Sequence, residues 1–214
     1  NPMYKLYNVK AWGSLCIHFM LEEMEIPHTN IWMTPAQVSE PEFRDISPLG
    51  YIPALGLPDG GALFESAAIV TFLVTAHADK GLSPPPGTPE FGEFLAWLHF
   101  MGTNIYAAIN FGEHANIYAR DADAQAFIAS KSIEQSHALW AIIDKRLASE
   151  GPWMMGEHFS ALDIYAFMLS LWNKPTESGL LEKFTAVARL VAGLRSRPKL
   201  LAALDAHGVS SPRS

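Results

Sequence analysis

Tyr51-Ile52-Pro53-Ala54-Leu55, then Pro58-Asp59-Gly60-Gly61, then Ala62-Leu63-Phe64-Glu65-Ser66-Ala67-Ala68-Ile69 is the stretch whose reading decides the fold. Two short apolar runs on either side of an Asp-Gly-Gly turn read as a β-hairpin. The residues from Ser66 to about His77 then repeat their apolar positions at helical spacing. Upstream, Tyr4 to Val9 reads as a strand and Ser14 to Glu25 as a helix, with Leu15, Phe19, Met20 and Met24 on one face. Pro27 ends that helix, Thr29 to Met33 reads as a second strand, and the Pro-, Ser- and Glu-rich stretch to Pro48 reads as a loop with a short helix at Pro41-Glu42-Phe43-Arg44. The order is therefore βαβ followed by ββα, a small α/β domain over residues 1–80.

Downstream, Gly81-Leu82-Ser83-Pro84-Pro85-Pro86-Gly87-Thr88-Pro89 suits an extended linker and cannot continue a helix. Residues 90–214 read as an all-helical domain, with periodic segments near 90–118, 122–149, 160–172, 179–194 and 197–206 and no strand. Ser160 and Asp163 form a capping-box signature at the start of one of them.

Composition excludes several classes of function. The net charge is −7, and no basic stretch is interleaved with aromatics, so nucleic acid is not an expected partner. A single cysteine, Cys16, excludes a disulfide framework and reads as a core thiol. The eight histidines form no HExxH or similar pair, so no metal site is expected. No apolar run is long enough to span a membrane, and Asn1 to Lys5 shows no signal core, so a cytoplasmic protein is expected.

With these residues in order, the chain resembles the cytosolic glutathione transferases of bacterial beta-class or β-etherase-like type, over nearly its whole length. Three matches carry the resemblance. Ser47 to Leu55 is similar to the segment that leads to a cis-proline. Phe64-Glu65-Ser66 is similar to the Glu/Gln-Ser glutathione motif. Ser160 to Asp163 is similar to the buried capping box of the helical domain. The implied fold is an N-terminal thioredoxin-like domain and a C-terminal helical bundle.

The resemblance implies glutathione as co-substrate. Ser66, opening a helix, would hold the γ-glutamyl carboxylate through its N–H, its hydroxyl and the helix dipole. Glu65 would pair with the α-amino group. Ile52, before a cis Pro53, would pair its main chain with the cysteinyl backbone. The alternative for Glu65 and Ser66 is a plain capping pair.

Glutathione must be held as a thiolate to attack, and its free thiol is mostly protonated near neutrality. Family members use a tyrosine, a serine or a cysteine at the first strand–helix junction. This chain has Asn8, Ala11 and Gly13 at those places. Ser14, at the helix start, is the candidate that remains, with Asn8 as a second; the alternative is that Ser14 only caps.

In the helical domain, His99, Thr103 and Tyr106 fall at i, i+4 and i+7 and would share one face. By resemblance His99 and Thr103 would contact glutathione, Tyr106 would donate to the sulfur, and Asn104 would reach a neighbouring subunit. Trp12, Ile109 and Phe111 would line an apolar second-substrate pocket. The implied activity is transfer of glutathione to an apolar, aromatic electrophile by a homodimer. Ether cleavage, isomerisation, or a glutathione-binding role without turnover remain alternatives.

Overall fold

The computed structural model describes residues 3–214; the part of the signal-core reading that falls on Asn1 and Pro2 lies outside them. The chain forms two compact units. One runs to Glu93 and takes back Arg195–Ser211; the other is Phe94–Leu194 with Pro212–Ser214. The expected cut lay in the Pro-rich linker, with every later residue in the helical half. Here the linker and the last helix both group with the first unit.

The first unit opens with β1 (Tyr4–Asn8), α1 (Ser14–Glu23) and β2 (His28–Trp32). The stretch read as loop also holds a single helical turn, α2 (Pro35–Val38), closed by a Thr34–Gln37 capping box, and the segment at Pro41–Asp45 is a 3-10 helix. β3 (Ala54–Gly56), β4 (Ala62–Phe64) and α3 (Ser66–Ala76) come next. The strands form one sheet in the order β2-β1-β3-β4. β1 runs parallel to β2 and antiparallel to β3, and β3 antiparallel to β4. Leu6, Leu15, Phe19, Met20, Leu55, Ile69 and Leu73 are fully buried between sheet and helices. β1 alternates as half-buried strands do, and its last inward position is a polar residue, Asn8.

The second unit is helical. α4 (Pro89–Phe100) runs into a π-helical turn at Met101–Ile105, then α5 (Tyr106–Glu113), α6 (Ala115–Tyr118) and the long α7 (Ala122–Glu150). α8 (Ala161–Leu171) is buried at every position and so acts as the central rod. α9 (Glu177–Lys183) and α10 (Thr185–Arg195) come after it, and α11 (Leu201–His207) ends the chain within the first unit. Among the described residues, no helix is long and apolar enough to cross a membrane.

Two expected single helices are interrupted, one at a turn where side chains bond back to their own helix and one where a distant side chain intervenes. In the segment 90–118, Thr103 donates its hydroxyl to the His99 carbonyl (2.8 Å) and Asn104 donates its amide to the Phe100 carbonyl (3.1 Å). Side chains that compete in this way for the carbonyls of the preceding turn bend and disturb a helix. In 179–194 the break comes at Phe184. There Asp144 of α7 accepts from the Ala186 and Val187 N–H groups (2.8 and 3.0 Å) and starts α10 afresh.

Three arginine and lysine contacts tie α11 and its approach to α1. Arg197 reaches both carboxylate oxygens of Glu23 (3.1 and 2.5 Å), a bidentate pair, and Lys199 reaches Glu25 (2.8 Å).

Candidate functional site

The sheet register brings three chain segments to one end of the first unit. Tyr7 lies opposite Ala54, and Ala54 opposite Phe64. One or two residues beyond those pairs stand Asn8 and Val9, then Ile52 and Pro53, then Glu65 and Ser66. The Ile52–Pro53 bond is cis. Ile52 is buried, and among the described residues its main-chain N–H and C=O bond to no other group of the chain.

Glu65 is held at φ 68°, ψ 114°, a backbone region that side chains with a Cβ rarely adopt. It precedes α3 yet makes no side-chain capping bond, and it is exposed. The plain capping alternative for Glu65 is therefore not what its side chain does. Ser66 is half-buried at the first position of α3, an eleven-residue helix whose N-terminal dipole faces the same end.

The junction between β1 and α1 corrects the expectation for Ser14. Its residue surface is wholly buried, its hydroxyl donates to Asn8 Oδ1 (2.5 Å), and it accepts the Val9 N–H (3.0 Å). Asn8 is equally buried, and its amide nitrogen reaches Asn30 Oδ1 (3.1 Å) and His18 Nδ1 (3.3 Å). Both side chains offered as thiol activators thus face inward and bind each other, because Asn8 occupies a core position of β1. Cys16 is buried as expected, and burial pushes its thiol up. Ahead of α1, the Gly13 N–H donates to no other group of the chain among the described residues. Ala11 turns the backbone there at φ 58°.

Beneath this turn lies a polar cluster that the sequence reading missed. His207 of α11 accepts the Ala11 N–H at Nδ1 (2.9 Å), and its Nε2 lies 3.0 Å from His18 Nδ1. His18 Nε2 is 3.3 Å from Glu22 Oε1, and His28 Nε2 is 3.4 Å from the same oxygen. Since the Ala11 amide must donate, His207 Nδ1 carries a lone pair and its proton sits on Nε2. That proton goes to His18 Nδ1, so His18 in turn carries its proton on Nε2, toward Glu22. Burial is the main cause that lowers both rings, His18 to about 4 and His207 to about 3. Both are therefore neutral at physiological pH.

His18, Glu22 and His28 bring one ligand atom each within 4.8 Å of one another, a grouping that could hold a metal ion. The absence of HExxH had argued against any such group. His28 suits the role, since its Nδ1 is engaged by the Ile26 carbonyl (2.8 Å), which leaves Nε2 with a lone pair. His18 does not suit it, because the bond chain from Ala11 puts a proton on its Nε2. The one sequence signal was the i, i+4 spacing of His18 and Glu22; nothing local points to His207.

In the second unit, the π turn alters the stripe of His99, Thr103 and Tyr106. One extra residue in a helical turn rotates the succeeding turns by about 100°, so Tyr106 no longer stands above His99. His99 and Thr103 are exposed; Tyr106 is half-buried with its ring 5.0 Å from that of Trp172. Asn104 is exposed and bonded to its own helix.

The three residues expected to line one apolar pocket have different surroundings. Trp12 is exposed on the β1–α1 turn of the first unit. In the second unit, Phe111 stacks on Tyr118 (4.4 Å between rings), while Ile109, about 200° away on α5, lines a cavity of about 280 Å³ with Ser132, Ile133, Ser136 and Pro175.

Comparison with known proteins assigns both halves. Residues 14–76 match the family model of the glutathione S-transferase N-terminal domain, and residues 113–198 that of the glutathione S-transferase C-terminal domain. The chain is 26% identical to the uncharacterized GST-like protein YncG of Escherichia coli K12, over 92% of this chain and 95% of that protein. Among solved structures, it is similar to a glutathione transferase from Methylococcus capsulatus (27% identity, TM-score 0.82, 96% of this chain and 99% of that one). A sphingomonad glutathione S-transferase complexed with glutathione is likewise similar (26%, 0.79, 96% and 99%).

Proposed function

The chain belongs to the glutathione S-transferase family, and from that premise we propose that its first unit binds glutathione and holds the thiol as a thiolate for attack on an apolar, aromatic electrophile. In this reading Ser66 and the N-terminus of α3 take the γ-glutamyl carboxylate, and the Glu65 carboxylate takes the α-amino group. The Ile52 main chain pairs with the cysteinyl backbone as a one-residue strand addition. The sulfur then meets the Gly13 N–H and the positive end of α1. Tyr106, His99 and Thr103 enter this reading only through the family resemblance, and the π turn sets Tyr106 on a different helix face from His99.

The observation that supports this most is Glu65. A non-glycine residue at φ 68° costs of order 1–3 kcal/mol, and such strain persists where a site needs the side chain aimed. Its carboxylate caps nothing, so helix stability does not account for it.

The reaction needs no acid–base dyad. The thiolate sulfur attacks an electrophilic carbon, a C–S bond forms and the leaving group departs with the bond pair, the thiol proton having gone to solvent. Positioning and thiolate stabilisation supply the rate. The assembly in this reading is a homodimer, to be checked by sedimentation.

Calorimetric titration with reduced glutathione tests the site. Micromolar to millimolar binding by the wild type, lost in Glu65→Ala and in Ser66→Ala, is expected; a wild type that takes up no glutathione at millimolar ligand rejects it. The inward turn of Asn8 and Ser14 favours a second reading, a glutathione-binding protein without turnover. Binding with no conjugation of an activated aryl halide would select that one.

A further inference from the structure

We propose that His207 is a positioning residue for the thiolate: from the last helix of the chain it fixes the Ala11–Gly13 turn that meets the sulfur. The inference rests on the glutathione reading and adds a residue to it. Three observations carry it.

The first is the turn itself. Ala11 sits at φ 58°, a conformation that an alanine holds only when its surroundings enforce it. One contact that holds it is the bond from its N–H to His207 Nδ1, across 196 positions of sequence. The second is the locking of His207. The residue is 4% exposed, its Nε2 donates to His18 Nδ1, and His18 donates to Glu22. Trp32 and Phe19 pack edge-on against the His207 ring (5.3 and 5.8 Å) and hold its plane. The third is the inward commitment of Asn8 and Ser14. With Asn8 and Ser14 both committed inward, the Gly13 N–H of the turn is the donor that this reading places at the sulfur. Its accuracy depends on what anchors it, and a main chain displaced by about 1 Å can cost a hundredfold in rate.

The chain of donors has a fixed direction, Ala11 to His207 to His18 to Glu22, and it requires both rings to be neutral. A proton on His207 Nδ1 would face the Ala11 amide donor with a second donor. The charged and titratable groups around the pair are Glu22 and His28 beside His18, and Lys10 beside His207.

The test compares His207→Leu, which removes the acceptor but keeps apolar bulk, with His207→Gln, whose amide offers an acceptor and a donor in place of the two ring nitrogens. The pKa of bound glutathione is read from thiolate absorbance, alongside kcat and KM. In His207→Leu the bound thiol pKa is expected to rise by about one unit and kcat to fall about tenfold or more, with KM for glutathione within about threefold of wild type. His207→Gln is expected to recover most of the loss. Wild-type kcat and thiol pKa in His207→Leu would overturn the proposal while leaving the glutathione reading intact. Failure of the wild type to bind glutathione removes the reading, and this proposal with it.

Should His207→Leu not fold, the wild-type imidazole nitrogen shifts decide. Both rings are expected as neutral Nε2–H tautomers from pH 6 to 8. A Nδ1–H tautomer at His207, or its titration in that range, overturns the proposal.

Discussion

At Glu65 stability and the proposed binding role pull in opposite directions. Glycine adopts φ 68° without penalty, so Glu65→Gly should raise stability by about 1 kcal/mol in denaturant unfolding, while glutathione affinity drops at least tenfold. A variant that loses both stability and binding would show Glu65 to be structural. Asp163 is the opposite case, fully buried and fully used. It accepts the Met154 N–H at one oxygen and the Ser160 N–H at the other, each at 2.8 Å. Asp163→Ala strands two buried donors and should cost about 3–5 kcal/mol, seen as a large fall in Tm with no compensating role in binding. That box was legible from Ser160 and Asp163 alone, since an N-cap and its N3 partner are three residues apart and need no tertiary information. Ser14 is the converse case: a serine at a helix start is expected to face a ligand, and in the fold it is buried with its hydroxyl bonded to Asn8 of β1.

At the scale of elements, α1, β2 and α11 enclose the neutral pair His18 and His207. Both rings have folded values below their ordinary 6.5, so as pH falls the unfolded chain takes up protons first. Stability is then lost progressively from about pH 6.5 down to about pH 3–4, and it recovers on return to neutrality. Thermal melts of the wild type should show this acid limb, and His18→Gln with His207→Gln should flatten it between pH 6.5 and 4. An unchanged slope in the double variant would mean that the carboxylates alone set acid stability. The elements themselves were largely legible. Alternating apolar residues marked β1, the glycine turn marked the β3–β4 hairpin, and period-3.6 patterning marked α1, α3, α7 and α8. What periodicity does not carry is a one-residue insertion in a helical turn. At the π turn, Met101–Ile105, Thr103 and Asn104 bond back to carbonyls of their own helix, and the extra residue undoes the face on which His99 and Tyr106 were expected together. Likewise the break between α9 and α10 depends on Asp144, some forty residues away.

For the whole molecule, the layout of a small α/β half before a helical half could be read from the order of elements and the Pro-rich stretch. The return of Arg195–Ser211 to the first unit could not. It depends on long-range pairs, Arg197 with Glu23 and His207 with Ala11, which leave no local pattern. That return brings His207 of α11 onto the Ala11 turn near the start of the sequence. The central claim is that glutathione sits where β1, β3 and α3 converge in the first unit. It is tested most directly by tracking backbone amide resonances during titration with reduced glutathione. The account predicts saturable shifts centred on Gly13, Ile52, Glu65 and Ser66. Shifts confined to the helical unit, or none at millimolar glutathione, would contradict it.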